Sequence, residues 1–92
     1  MRRDVHLVKD ILRHVALLDF NVETDDKKIH QEISSRGVSA PDLPGLIKEH
    51  MYTLWKGGFI EGRAETDGYQ IRAVTAWRLT WEGHELLQPF NA

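Results

Sequence analysis

Residues 59–87 read FIEGRAETDGYQIRAVTAWRLTWEGHELL, and the fold turns on how this stretch divides. Alternating apolar and polar residues flank Asp67-Gly68. That dipeptide is a strong two-residue hairpin signal, because both central positions of a type I′ turn need positive φ. Pairing about it sets Ala64 opposite Ile71, Gly62 opposite Ala73 and Ile60 opposite Thr75. Trp77 and Leu79 continue that face toward the core, while the other face carries Glu65 with Gln70 and Arg63 with Arg72. The rest, TWEGHELL, reads as the start of a last helix. Thr80 is its natural N-cap, and Glu82 lies in the first turn, where a carboxylate meets the positive end of the helix dipole. Gly83 carries no Cβ, so this helix can lie close against the sheet or the first helix. Residues 77–87 are therefore expected to be a structural corner, sealed by Trp77 and Leu79, capped by Thr80 and closely packed at Gly83.

Upstream the period changes to that of helices. Val5, Val8, Ile11, Leu12, Val15 and Leu18 recur at helical spacing between charged residues, predicting an amphipathic helix over 4–19. DFNVETDD breaks the pattern, and Thr24 or Asp25 can cap a second helix, with Asp26 favourable at its positive end. Ile29 and Ile33 mark that helix, which ends near Gly37. VSAPDLPG is a turn in which Asp42 can cap and Pro44 can occupy a first helical turn, where its missing N–H costs nothing. Leu46, Ile47, Met51, Leu54 and Trp55 stripe a third helix that stops at Gly57-Gly58. The expected architecture is α+β, a winged helix-turn-helix in one domain, 1–92. It has three helices near 4–19, 26–35 and 43–57, a two-stranded β-hairpin wing near 59–80, and a short C-terminal helix near 81–88.

Composition narrows the function. Apolar residues are 41% and charged residues 28%, ordinary for a globular chain, and the formal net charge is −2. There is no cysteine, which removes disulfides, thiolate metal ligands and a cysteine nucleophile and fits a cytoplasmic setting. Charges interrupt the apolar run of MRRDVHLVKDILRHV, so neither a signal peptide nor a membrane span is expected there.

Three blocks, MRRDVHLVKDIL, IKEHMYTLWKGGFIEG and RLTWEGHELL, resemble a small bacterial and phage family, domain of unknown function 2513. Its members open with a Met-(Lys/Arg)-Arg-Asp helix, carry a helix ending in Gly-(hydrophobic)-Ile-Glu, and close with Arg-Leu-Thr-Trp-Glu-Gly-His. The matching positions are Asp4, His50, Gly58, Ile60 and Glu61, then each residue from Arg78 through His84. The resemblance implies a winged-helix fold and a phage or prophage origin, and no particular activity. The chain departs from the family in its SAPDLPG turn, where relatives have a more acidic helix start, and in closing at QPFNA, where many continue as a longer helix.

Chemistry at a catalytic or metal centre is not expected. His6, Asp10 and His14 share one helix face, but the two histidines lie about 12 Å apart along the axis, too far to converge on one zinc ion. GHELL lacks the second histidine of His-Glu-x-x-His, and no serine is flanked by a Gly-x-Ser-x-Gly turn. No phosphate-cradling glycine loop is present. No enzyme, cofactor, metal or small-molecule substrate is therefore anticipated.

A binding role remains. In a winged helix the third helix enters the major groove of duplex DNA and the hairpin tip reaches the backbone. Over residues 24–58, Lys27, Lys28, Arg36, Lys48 and Lys56 are balanced by Asp25, Asp26, Glu32, Asp42 and Glu49. The wing is balanced too; Arg63 facing Arg72 across the strands would be unfavourable, relieved either by Glu61 and Glu65 diagonally or by a phosphate or partner carboxylate between them. DNA binding in regulation is the first expectation, on the strength of the fold, with Lys48, Arg63, Arg72, Arg2 and Arg3 as contacts. The alternative is a protein-interaction module or homodimer using Tyr52, Trp55 and Trp81, since Trp and Tyr dominate interface hot spots.

Overall fold

The computed structural model describes residues 4–37 and 40–91. Its elements run α1 (Val5–Ala16), β1 (Thr24–Asp25), α2 (Asp26–Ser35), α3 (Leu43–Lys56), β2 (Ile60–Asp67), β3 (Gln70–Leu79) and α4 (Trp81–Asn91). The fold is mixed α+β, with helices packed on an antiparallel sheet of order β1-β3-β2.

Each early helix starts where the sequence supplies a cap. The Asp4 carboxylate accepts from the Leu7 N–H at 3.1 Å, and Asp25 accepts from the Lys28 N–H at 2.8 Å. At α3, by contrast, the Asp42 side chain caps no N–H of the helix, and Pro in the first turn marks its start instead. Leu7, Val8, Ile11, Leu12 and Val15 form the buried stripe of α1. They meet Ile47, Met51 and Leu54 of α3 and Val74, Ala76 and Leu79 of β3 in one apolar cluster. A buried histidine ties two helices together. The His50 Nδ1–H donates to the Leu46 carbonyl at 2.7 Å, while its Nε2 accepts the Asp4 N–H at 3.1 Å. That pair of partners selects one neutral tautomer.

Four features depart from the sequence reading. First, α1 ends at Ala16 rather than near residue 19, and the chain turns at Leu17 into a connector. Second, the expected two-stranded hairpin gains a third strand. Thr24 pairs with Ala76 and Asp25 with Thr75. The buried Asp26 carboxylate then accepts the Val74 N–H at 3.1 Å, extending the ladder by a side chain where the backbone has already turned into helix. A two-residue strand has no alternation to read, so only the helix cap was visible.

Third, the tight turn is Gly68-Tyr69, closed by the Asp67–Gln70 pair, not Asp67-Gly68. Gly68 takes φ 61° at the first loop position, which suits a type II′ turn. Fourth, the register slips further at two bulges, between Glu61 and Gly62 and between Glu65 and Thr66. Arg63 therefore faces Thr75, and the anticipated Arg63–Arg72 repulsion does not exist.

Candidate functional site

The corner at residues 77–87 is held by backbone as much as by side chains. Thr80 caps α4 by accepting the Gly83 N–H at 3.1 Å, and its own hydroxyl donates to the Gly58 carbonyl. The Thr80 N–H donates to the Phe59 carbonyl at 3.1 Å. A Cβ on Gly83 would lie 2.0 Å from that same Phe59 oxygen, so only glycine lets α4 approach the start of β2. Leu79 is buried against the core. Glu61 and Arg78 pair across the strands and form an ion pair, which holds the Glu61 carboxyl below the usual carboxylate range and raises Arg78.

Trp77 does not seal this corner; that expectation is corrected. On β3 the partner of Glu61 is Arg78 and the partner of Gly62 is Ala76, which leaves Trp77 as the extra residue of a bulge. A bulge interrupts the alternation of faces and re-aims the side chain it carries. Val74, Ala76 and Leu79 point inward, and Trp77 stands at the surface, 36% exposed. Gly62 is needed opposite this bulge, since a Cβ there would lie 1.9 Å from the Thr75 carbonyl oxygen. Arg72 is the extra residue of the other bulge, between the Glu65–Ala73 and Thr66–Ile71 pairs.

The re-aimed Trp77 lines a cleft of about 810 Å³. One wall comes from the end of α1 and the connector 17–23, through Val15, Leu18, Asp19, Phe20 and Glu23. The other comes from the sheet and α4, through Arg63, Trp77, Arg78 and His84. The first wall is acidic and the second basic, and the Arg63–Glu23 ion pair at 3.1 Å spans them. The Arg63 guanidinium also lies 5.9 Å from the centre of the Trp77 ring, within cation–π range.

The connector was not singled out from sequence. It carries three exposed apolar residues, Leu17, Phe20 and Val22. The Val22 N–H donates to the Asp19 carbonyl at 3.1 Å, closing a tight turn with Phe20 and Asn21 at its apex. Asn21 has φ 68°, a left-handed conformation that Asn tolerates better than most residues. The turn leaves Phe20 89% exposed at the lip of the cleft. The available signal was an apolar residue before an αL-tolerant Asn in an otherwise polar segment.

The other anticipated contacts are dispersed. Lys48 is half-buried on α3. Arg72 is exposed, and among the described residues no side chain pairs with it. Arg2 and Arg3 lie outside the described residues. Tyr52 and Trp55 are partly buried against the core, their rings 5.8 Å apart, and the Trp55 indole donates to the Gly62 carbonyl at 3.1 Å. Trp81 is 77% exposed and donates to Glu85 at 2.7 Å.

His14, once grouped with His6 and Asp10 on a polar face, is half-buried and contacts the Thr24 hydroxyl at 3.1 Å. Burial lowers its pKa from 6.5, opposed by the charge of Glu32 and reinforced by Arg36. Among the described residues, no group of three or more His, Asp or Glu is placed to hold a metal ion, and no helix is long and apolar enough to cross a membrane.

The chain matches the family described as hypothetical protein (DUF2513) over residues 2–91, and it belongs to that family. No curated protein matches it.

Proposed function

We propose that this DUF2513 protein is a non-enzymatic binding module of winged-helix type whose working contacts are with protein. It makes them through the cleft between the connector and the sheet-to-α4 corner. The observation that carries this reading is the paired display of Phe20 and Trp77, one held out by a left-handed turn and the other by a bulge. Single exposed apolar residues are ordinary. Two aromatics brought to one concavity by two separate backbone irregularities are the anatomy of an interface anchor. The setting is that of a phage or prophage protein acting in the cytoplasm.

DNA binding is the second reading, favoured by the order of helices and hairpin and by Arg72 on the wing, which has no side-chain partner among the described residues. The placement of charge argues against it. Arg36, Arg63 and Arg78 are engaged by Glu32, Glu23 and Glu61. The α3 surface offers Lys48 and Lys56 beside Glu49, and duplex affinity depends on clustered cations. An electrophoretic shift with duplex DNA at low and moderate salt separates the readings. The protein-binding reading expects no shift once salt is moderate. A shift that persists there and is lost in Lys48→Glu or Arg72→Glu overturns it.

A further inference from the structure

The hairpin tip sets a free carboxyl beside a free amide. Asp67 ends β2, Gly68 opens the turn, and every residue from Glu65 to Gln70 is exposed. Among the described residues the Asp67 carboxyl has no hydrogen bond or ion pair, and the Gly68 N–H has no carbonyl partner. Gly68 has no side chain to shield its nitrogen, and a Cβ placed there would meet nothing within 4 Å. The nitrogen is therefore open to approach by the side-chain carbon of the residue before it.

Elsewhere one of the two groups is engaged. The carboxylates of Asp4, Asp25 and Asp26 accept from the N–H groups of Leu7, Lys28 and Val74. After Asp42 the Leu43 N–H donates to the Ala40 carbonyl, and after Asn21 the Val22 N–H donates to the Asp19 carbonyl, both at 3.1 Å. Asp10 lies inside α1, where helical bonds take up the amide that follows. Asp19 precedes Phe20, which carries a bulky side chain next to its nitrogen.

We propose that Asp67 is a site of spontaneous isomerisation to isoaspartate. The Gly68 nitrogen loses its proton to water and attacks Cγ of Asp67 in its acid form. The Cγ–N bond forms, the Cγ–O bond breaks, and the hydroxyl leaves as water, closing a succinimide ring. Water then opens the ring. Cleavage of the Cγ–N bond returns aspartate. Cleavage of the original peptide bond leaves the main chain running through Cγ and frees the α-carboxyl. One water leaves and one is added, so mass is unchanged and no oxidant or reductant is needed. The product lengthens the main chain by one methylene at the Asp67–Gln70 pair, the last of the ladder. Residues 67–70 neither join the apolar cluster nor line the cleft, so the core and the cleft keep their form.

The experiment is incubation of the full native chain for weeks in mildly acidic buffer at body temperature, beside the same chain in denaturant. Isoaspartate is read in the tryptic peptide 64–72 by enzymatic carboxyl methylation and by fragmentation. The native chain should accumulate it at position 67, with unchanged mass and an unchanged melting curve. Asp67→Glu keeps the charge, but its longer side chain cannot close the same ring, so the product should be lost. Asp67→Asn should react faster, ammonia leaving in place of water, and gain the mass difference between amide and acid. A native chain without isoaspartate at 67 overturns the proposal, and product in the denatured chain alone would show that the turn protects the site. Equal product at Asp4 or Asp25 in the native chain also overturns it, because the free groups at the tip would then select nothing.

Discussion

At the scale of single residues, the corner shows what a local reading can reach. A strand ending in Leu79, a threonine cap and a glycine three residues on announce a tight strand-to-helix junction, and each is visible in RLTWEG. What the spacing left open is which surface Gly83 faces, and the answer is the Phe59 carbonyl. Gly83→Ala should therefore destabilise the fold by about 1–3 kcal/mol through overpacking. Thr80→Ala should cost about 0.5–2 kcal/mol by removing the cap. His84→Ala, at an exposed position, should leave the melting temperature unchanged. Calorimetry on the three variants checks the order; a Gly83→Ala protein that melts with the parent would remove the close-packing account.

His14 gives a residue-scale dependence on pH. Burial lowers its pKa in the folded chain, so below about 6.5 the unfolded state takes up a proton that the folded state resists. Its contribution to stability is intact above that value, falls as the medium is acidified through it, and levels off below the folded pKa. Melting temperature should drop more steeply between about pH 7.5 and about pH 6 in the parent than in His14→Gln. Equal slopes would show that His14 is not a source of the dependence.

At the scale of elements, alternation predicted two strands and missed how they pair. A strict two-residue period cannot record an extra residue, and β3 contains two, Arg72 and Trp77. The Arg72 bulge moves the inward face to Val74 and Ala76, and the Trp77 bulge returns it to Leu79, so Ala73, Thr75 and Trp77 were assigned to the wrong side and Leu79 to the right one. The glycine at position 62 was the one sequence sign of this bulge, since no other residue fits beneath the Thr75 carbonyl. The third strand was hidden for a different reason. Thr24, Asp25 and Asp26 look like a helix cap, and Asp25 is one, but the same three residues also edge the sheet. Asp26→Ala should leave the buried Val74 N–H unpaired and cost about 1–3 kcal/mol, whereas Asp26→Asn keeps an acceptor and should cost less. Hydrogen exchange at the Val74 amide, compared between the two variants, reads this directly; equal protection in both would dissociate Asp26 from the sheet.

At the scale of the whole molecule, charge and shape point the same way. Opposite charges are interspersed, and the helix expected to read DNA presents few free cations. The apolar surface instead gathers at the end of α1, in a connector whose exposed residues follow no helical or strand period and so gave no pattern to extrapolate. The claim that this face does the binding is tested most directly by photo-cross-linking in the cell, with a photoreactive residue placed at position 20 or, for comparison, at exposed position 53 on α3. The account expects protein adducts from position 20 that disappear in Trp77→Asp, and none from position 53. Adducts from position 53 alone would contradict it, and return the function to α3.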